Sequence, residues 1–339
     1  MPPAPDRSPP SPPTGSPSQQ YGFGGRLRRE FPSQLVVDST ELCNLACVHC
    51  VHPQFKKSEF YSGKCLDPDL SHKAVDEVAT TGKDLCDYIR YTGNGEPLLH
   101  PKIFDMLTYA VERVDASITI TTNACTRKTE KIEALIATGL DIIDISIDAH
   151  TPETYASIRV HGDLDLTRAN VLRLIEMSKA PGCRTKVVVS YIEQPQNQHE
   201  TADFEQYWQD QGADYVVIRR LHTNAGAFVD LAAAAPSAST TEARRPCLYP
   251  WERILLNARG ELAFCPVDWV HGSTVADFRT TTIAETWQGE FYERLRKAHL
   301  TNCYTDHAFC GQCPDWKLTR WPDQGRSYAD MVRDFKARD

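Results

Sequence analysis

The sequence predicts an α/β fold, an open or partial (β/α)6 barrel followed by a small C-terminal hairpin-plus-helix domain. Strand and helix patterns alternate from about residue 34 to residue 226, which is typical of parallel βαβ units. The pattern then changes to a short hairpin signal and one amphipathic helix. The length of 339 residues is enough for two domains of ordinary size.

The barrel elements are predicted from short apolar runs and the amphipathic stretches between them. The six strands are predicted at residues 34–38, 88–92, 117–122, 141–148, 186–191 and 215–219. The helices are predicted at residues 70–81, 101–114, 128–138, 152–159, 166–178 and 202–211. Ligands of such folds bind at the carboxyl ends of the strands. Functional residues are therefore expected in the loops that follow the strands.

The C-terminal part has a different pattern. Residues 254–257 and 261–265 flank Ala258, Arg259 and Gly260, which predicts a β-hairpin. Residues 282–300 predict one helix, with apolar side chains near i, i+4 spacing. We divide the chain into a disordered lead (1–33), a barrel (34–226), a linker (227–246), a hairpin-plus-helix domain (247–320) and a C-terminal tail (321–339).

Charge and composition argue against two classes of partner. The chain has 37 Lys and Arg against 45 Asp and Glu, a net charge of −8, which is poorly suited to binding nucleic acid through its phosphates. No apolar stretch approaches the ~18 residues that a membrane span requires. The first 20 residues are rich in Pro and Ser and lack the apolar core of a secretory signal. We therefore expect a cytoplasmic protein.

Twelve cysteines in a chain without an export signal favour metal binding over disulfides. Cys43, Cys47 and Cys50 form a C-x3-C-x2-C motif directly after the first strand. Three thiolates at this spacing can bind three corners of an iron–sulfur cluster and leave the fourth iron open. Zinc is the alternative, with His49 or His52 as a fourth ligand.

Two further patterns carry chemistry. Gly93, Asn94, Gly95 and Glu96 follow the second strand, where glycines allow close approach of a ligand and a carboxylate can pair with an ammonium group. Near the C-terminus four cysteines form two pairs, which suits a fully ligated cluster or a zinc site equally well. These four are Cys247, Cys265, Cys310 and Cys313.

With these motifs the chain resembles a radical S-adenosylmethionine (SAM) enzyme. The resemblance implies a [4Fe–4S] cluster on the first three cysteines, with SAM on its open iron. It implies that SAM contacts the Gly93–Glu96 loop, in which Asn94 departs from the usual glycine, and that His49 packs on the adenine in place of the usual Tyr or Phe. Further SAM contacts are implied for Asn123, Ser146 and Arg159.

The C-terminal cysteines resemble the SPASM extension of that family. No cysteine follows Cys313, so the pattern is similar to the shortened "twitch" form, which holds one auxiliary [4Fe–4S] cluster. Cys303 lies close by, and we interpret it as a bystander. The remaining cysteines are expected to be buried thiols, although Cys65 or Cys125 could donate a hydrogen atom to a substrate radical.

The spacing of the C-terminal cysteines resembles that of aminocyclitol dehydrogenases of antibiotic biosynthesis. This implies that a 5′-deoxyadenosyl radical removes hydrogen from a sugar or cyclitol carbon, and that a secondary alcohol becomes a ketone. It also implies a flavodoxin- or ferredoxin-type reductant. Substrate residues are expected at the later strand ends, at Tyr191, Glu193, Arg220 and His222.

Other reactions use the same parts. An epimerase, a decarboxylase or a C–C bond-forming enzyme on a carbohydrate or nucleotide sugar would share these motifs. Peptide modification is a further alternative, made less favourable by the short segment before the first strand. A zinc or electron-transfer protein would explain the cysteines but would leave the Gly93–Glu96 loop without a role.

Overall fold

The computed structural model describes residues 29–226, 244–318 and 328–336. Most of the predicted lead, nearly all of the predicted linker and part of the tail lie outside these residues. Within the described residues, no helix is long and apolar enough to cross a membrane.

Six parallel strands form the unclosed, partial barrel. They are β1 (Gln34–Val37), β2 (Tyr88–Tyr91), β3 (Ser117–Thr122), β4 (Ile142–Ser146), β5 (Lys186–Glu193) and β6 (Tyr215–Arg220). Each strand pairs in parallel with the next one along the chain. The six predicted strands are thus all present, and their ends differ from the prediction by two residues at most.

Six helices of the barrel follow the predicted order, and a short helix before them, α1 (His52–Phe55), was not predicted. The six are α2 (Pro68–Ala79), α3 (Ile103–Arg113), α4 (Thr129–Ala137), α5 (Pro152–Ile158), α6 (Leu164–Ser178) and α7 (Thr201–Asp210). Side-chain caps begin three of them: Asp67 caps α2, Thr151 caps α5 and Asp163 caps α6. The helices cover the outer face of the sheet, where Ile89, Tyr91 and other alternate strand residues form the main core.

The C-terminal domain extends the same sheet. The predicted hairpin is formed by β7 (Arg253–Leu256) and β8 (Glu261–Ala263), and β9 (Thr274–Asp277) adds a strand that the sequence analysis did not predict. β7 pairs in parallel with β1, so the nine described strands have the order β6-β5-β4-β3-β2-β1-β7-β8-β9. The hairpin is therefore joined directly to the strand that precedes the first cysteine motif.

The predicted single helix over residues 282–300 is wrong. The structure has two helices there, α9 (Ile283–Gln288) and α10 (Glu290–Thr301), separated by Gly289 in an extended conformation. A Cβ at Gly289 would lie 2.9 Å from the carbonyl oxygen of Glu285, so a side chain at this position would collide with the last turn of α9. Three short helical elements complete the domain: α8 (Tyr249–Glu252), α11 (Ala308–Gln312) and a 3-10 turn at Asp315–Leu318.

The tail includes a helix that the sequence analysis did not predict, α12 (Tyr328–Lys336). Ala329, Met331, Val332 and Phe335 of α12 pack against apolar residues of β2, β4 and β5. These strand residues, Tyr88, Ile142 and Val188, alternate with those of the main core and so lie on the inner face of the barrel. Helix α12 therefore fills the barrel at the amino ends of its strands.

Candidate functional site

The first cysteine motif lies in the loop that follows β1. Cys47 is buried, whereas Cys43 and Cys50 are half-buried. The amides of Ala46 and Val48 donate to the carbonyl oxygens of Val160 and Ile158, 3.0 Å away in each case. The loop is thus fixed against the end of α5 with its three thiols on one short segment.

Burial opposes ionisation of these thiols. It raises the pKa of Cys43 to about 12 and that of Cys50 to about 11. A thiolate-binding metal ion such as iron would favour the thiolate forms and offset this effect. The donor set therefore fits an iron–sulfur cluster with three protein ligands.

The glycine-rich loop after β2 packs directly against the cysteine loop. A Cβ at Gly95 would lie 2.0 Å from the carbonyl oxygen of Thr40 and 2.6 Å from that of Leu42, so only glycine allows this approach. The amide of Glu96 donates to the same Leu42 oxygen at 2.7 Å. The two segments predicted to bind SAM are therefore in contact.

Glu96 links this loop to the end of β3. Its buried carboxylate accepts hydrogen bonds from the hydroxyl of Thr122 at 2.6 Å and from the amide of Asn123 at 2.8 Å. The pKa of Glu96 is raised, because the effect of burial outweighs the opposite effect of these hydrogen bonds. The side chain of Asn123 donates to the side-chain oxygen of Asn44, in the cysteine loop, at 3.0 Å. Glu96 and Asn123 are thus brought together beside the three thiols.

A buried ion pair forms the other side of the site. Arg159 donates to the carboxylate of Asp148 and lies 3.7 Å from the sulfur of Cys47 through Nη1. Asp148 is fully buried, has a φ of +63° and also lies 3.4 Å from Nε2 of His49. Asp148 is therefore a site residue that the predicted set omitted, although its position at the end of a strand was a usable signal.

His49 and Ser146 also reach this region. His49 is buried, and burial lowers its pKa to about 4, so the imidazole is neutral at pH 7. Its Nδ1 lies 3.4 Å from the side-chain nitrogen of Gln194, in the loop after β5. Ser146 is the last residue of β4 and pairs in register with Ser190. The predicted SAM-contacting residues thus meet at the carboxyl ends of β1 to β5.

The C-terminal cysteines surround a second site. Cys247, Cys265, Cys310 and Cys313 all line one cavity of about 40 Å³. They come from three segments, because Cys310 and Cys313 share one turn, and Phe264, Phe309 and Trp316 supply apolar surface between them. The described His, Cys, Asp and Glu side chains form no group of three or more close enough to hold a single metal ion.

The chemistry of this cavity fits an iron–sulfur cluster with four protein ligands. Burial raises the pKa of Cys313 to about 11 and raises the pKa values of Cys265 and Cys310 as well. Cys303 does not line the cavity; it is exposed, and its sulfur lies 3.5 Å from the hydroxyl of Thr305.

A third feature is a cavity of about 320 Å³ on the inner face of the barrel, beside β6. Its lining includes Arg90, Arg219, Arg220, Arg253, Gln34, Glu252, Tyr249, Tyr328 and His222. The volume is within the ~300–1,000 Å³ that is usual for small-molecule sites. Two of the four predicted substrate residues, Arg220 and His222, are in this lining.

The other two predicted substrate residues lie elsewhere. Tyr191 is fully buried in the outer core, where its ring packs on Phe204 and its hydroxyl donates to the carbonyl oxygen of Asn197. Glu193 is exposed and accepts a hydrogen bond from Thr201 at 2.9 Å. This geometry gives both residues roles in positioning the segment before α7.

Two family models match the chain. The radical SAM superfamily model matches residues 37–204, and the iron–sulfur cluster-binding SPASM model matches residues 247–314. A GTP 3′,8-cyclase of Clostridium botulinum is 30% identical over 174 residues, which are 50% of each chain. The chain thus spans about half the length of this curated relative.

Two solved structures share the fold. The structure of BtrN in complex with AdoMet and 2-DOIA has a TM-score of 0.57 at 16% identity, with 86% of this chain and 96% of that chain covered. Streptococcus suis SuiB bound to the precursor peptide SuiA has a TM-score of 0.64 at 13% identity, with 93% and 75% covered. At these identities the likeness concerns the fold alone.

Proposed function

Because the chain belongs to the radical SAM superfamily and carries a SPASM domain, we propose that it oxidises a secondary alcohol of a sugar or cyclitol to a ketone. The radical SAM domain implies SAM and a [4Fe–4S] cluster that binds it. The SPASM domain implies auxiliary iron–sulfur binding near the C-terminus. We assign residues 34–226 to the barrel and residues 247–320 to the auxiliary domain, with one auxiliary [4Fe–4S] cluster.

One observation carries the choice of oxidation. His222 and Tyr249 line both the cysteine-lined cavity and the 320 Å³ cavity of the barrel, so these two side chains separate the two sites. A group bound in the barrel would therefore lie next to the auxiliary cluster. An oxidation needs an electron acceptor at such a position, whereas a redox-neutral rearrangement does not.

We assign different cofactors to the two cysteine sites. When bound, SAM and its cluster supply a radical that removes hydrogen from carbon, and the auxiliary cluster accepts one electron. Cys43, Cys47 and Cys50 would hold the first cluster, and Cys247, Cys265, Cys310 and Cys313 would hold the second.

The remaining groups bind and orient. We propose that the Gly93–Glu96 loop, Asn123, Ser146 and Arg159 contact SAM, and that His49 packs near its adenine. Asp148 holds Arg159 in place through their buried ion pair. His222 stands at the wall between the cavities, where its imidazole can accept the hydroxyl proton that the oxidation releases.

We further propose that a flavodoxin- or ferredoxin-type protein reduces the first cluster, and that the reaction takes place in the cytoplasm as a step of antibiotic biosynthesis.

The test uses anaerobically reconstituted enzyme and a panel of cyclitols and sugars deuterated at each carbinol carbon. We expect one ketone per SAM consumed, with deuterium in 5′-deoxyadenosine and none returned to the product. An inverted alcohol labelled from solvent would contradict oxidation.

An inverted alcohol labelled from solvent would also have a structural explanation. Cys125 is buried and packs with Leu45 and Cys47 beside the first cluster loop. A thiol in this position could return a hydrogen atom to a substrate radical, as an epimerase requires. In that case Cys125→Ser would abolish solvent labelling, whereas the proposed oxidation would not depend on Cys125.

A further inference from the structure

The inner face of the barrel carries a charged cluster that the proposed oxidation does not use. Asp144 of β4 is fully buried, and one of its carboxylate oxygens accepts from Arg90 of β2 at 2.8 Å and from Arg219 of β6 at 2.7 Å. Ser190 of β5 donates to the other carboxylate oxygen of Asp144. One carboxylate is thus shared by two guanidinium groups, which leaves a positive charge inside the barrel.

The lining of the 320 Å³ cavity adds to this excess. Besides Arg90 and Arg219 it includes Arg220 and Arg253, and Glu252 is the single carboxylate among its described lining residues. Glu252 is engaged by Arg253 at 3.2 Å. The cavity therefore has more cationic than anionic side chains at neutral pH.

Donors and acceptors are still available to a ligand there. Arg90 and Arg219 bond to Thr121, Ser190 and Asp144 through Nε and Nη2, and no hydrogen bond among the described residues uses their Nη1 groups. Gln34 is 3% exposed, and its side-chain oxygen has no hydrogen-bond partner among the described residues. A guanidinium binds oxyanions through paired N–H groups, and a buried amide oxygen is a suitable acceptor for a hydroxyl.

We propose that the inner face of the barrel binds the anionic group of an acidic carbohydrate, a carboxylate or a phosphate, through Arg90 and Arg219. This inference rests on the proposed function, since it names the class of carbohydrate that the same cavity accepts. Ser146 lies on the same face of β4 as Asp144, two residues nearer to the cluster end. An anionic group bound by Arg90 and Arg219 would therefore lie on the inner face of the barrel, on the amino-end side of the predicted SAM contact at Ser146.

Arg219 is the residue to change. Its side chain is 28% exposed against 17% for Arg90, and removing it leaves Arg90 to neutralise Asp144. The variants are Arg219→Gln and Arg219→Lys. The matched control is Arg184→Gln, because Arg184 makes a surface ion pair with Asp141 at 3.6 Å and does not line the cavity.

The experiment measures binding by calorimetry to reconstituted enzyme with SAM present. The probes are glucuronate, glucose 6-phosphate and glucose. We expect at least one acidic probe to bind about tenfold or more tightly than glucose, and Arg219→Gln to weaken that probe about 10- to 100-fold. Arg219→Lys should recover part of the loss, and Arg184→Gln should bind like the parent. The acidic probe that binds more tightly identifies the group as carboxylate or phosphate.

The outcomes separate this inference from the proposed function. Equal binding of all three probes, no binding of any, or acidic binding unaffected by Arg219→Gln would overturn the anionic site. Ketone formation from a neutral sugar would then still support the oxidation. Arg219-dependent binding of an acidic probe would keep the site even if no labelled substrate gave a ketone.

Discussion

The two cysteine sites of this protein differ in how they are built and in what surrounds them. The first has three thiols on one loop of eight residues, from Cys43 to Cys50, beside the charged side chains of Glu96 and Arg159. The second has four thiols from three segments around a cavity that is also lined by aromatic rings and by Arg244 and Asp315. Charged groups near the first site can bind a polar ligand, whereas the second site provides a complete set of protein ligands.

This difference indicates a division of labour. A cluster with three protein ligands keeps one iron for a small molecule, and a cluster with four does not. The second site lies against the barrel cavity across His222 and Tyr249, which supports our proposal that it exchanges electrons rather than binds SAM. The predictions below test whether the two sites are separable in this way.

The largest effect is expected from removing the cysteines of each site in turn. Changing Cys43, Cys47 and Cys50 together to Ala should lower iron from about eight to about four per chain and abolish SAM cleavage. Changing Cys310 and Cys313 to Ala should remove the other iron but retain SAM cleavage, with ketone formation lost. Iron and sulfide analysis and 5′-deoxyadenosine assays measure both results.

A parent with about four irons, none of which remains in the first variant, would show that the second site holds no cluster. Zinc in place of iron in the parent would refute the division altogether.

The next effect concerns the charged surroundings of the first site. Arg159→Gln leaves the fully buried Asp148 without its cationic partner, and losing one member of a buried pair typically costs about 3–5 kcal/mol. We expect weaker SAM binding and a lower free energy of unfolding, measured by SAM titration and by denaturant unfolding of the reconstituted enzyme.

The control for this change is Arg173→Gln. Arg173 pairs with Glu133 on the surface, where both side chains are nearly half-exposed, so its loss should cost no more than about 1 kcal/mol. Equal effects of the two variants would mean that the buried pair does not support the first site in particular.

The smallest effect is expected from changing one glycine beside the first cysteine site and one glycine in the C-terminal domain. Gly95→Ala places a Cβ 2.0 Å from the carbonyl oxygen of Thr40 and so must displace the start of the cysteine loop, whereas Gly289→Ala meets the Glu285 oxygen at 2.9 Å, between two helices of the C-terminal domain. We expect Gly95→Ala to lower the iron of the first cluster and SAM cleavage. Gly289→Ala should lower stability by about 1–3 kcal/mol and leave SAM cleavage intact. SAM cleavage lost equally in both variants would contradict the separation of the two regions.

Much of the barrel could be predicted from the sequence because its signals are local. An apolar strand, a turn and an amphipathic helix are each encoded within about 15 residues, and the ends of the predicted barrel elements differ from the structure by two residues at most. The break between α9 and α10 at Gly289 could not be predicted from such local signals. Helical periodicity continues across Gly289, but the backbone of this residue is extended and ends α9 there.

The substrate side of the site was much less predictable. Arg90, Asp144 and Arg219 lie inside strands and are far apart in the sequence, so no local pattern marks them as partners. Tyr191 was chosen because it ends a predicted strand, but strand alternation directs its side chain to the outer core.

The sequence by itself determined the fold class, the chelating loop at Cys43 to Cys50 and the pairing of Cys310 with Cys313, because ligands within one turn are held close whatever the rest of the chain does. Only the tertiary structure decided that β7 joins β1, that α12 fills the barrel and that His222 and Tyr249 separate the two cavities. These arrangements depend on the packing of distant segments, where burial and shape, not spacing along the chain, select the contacts.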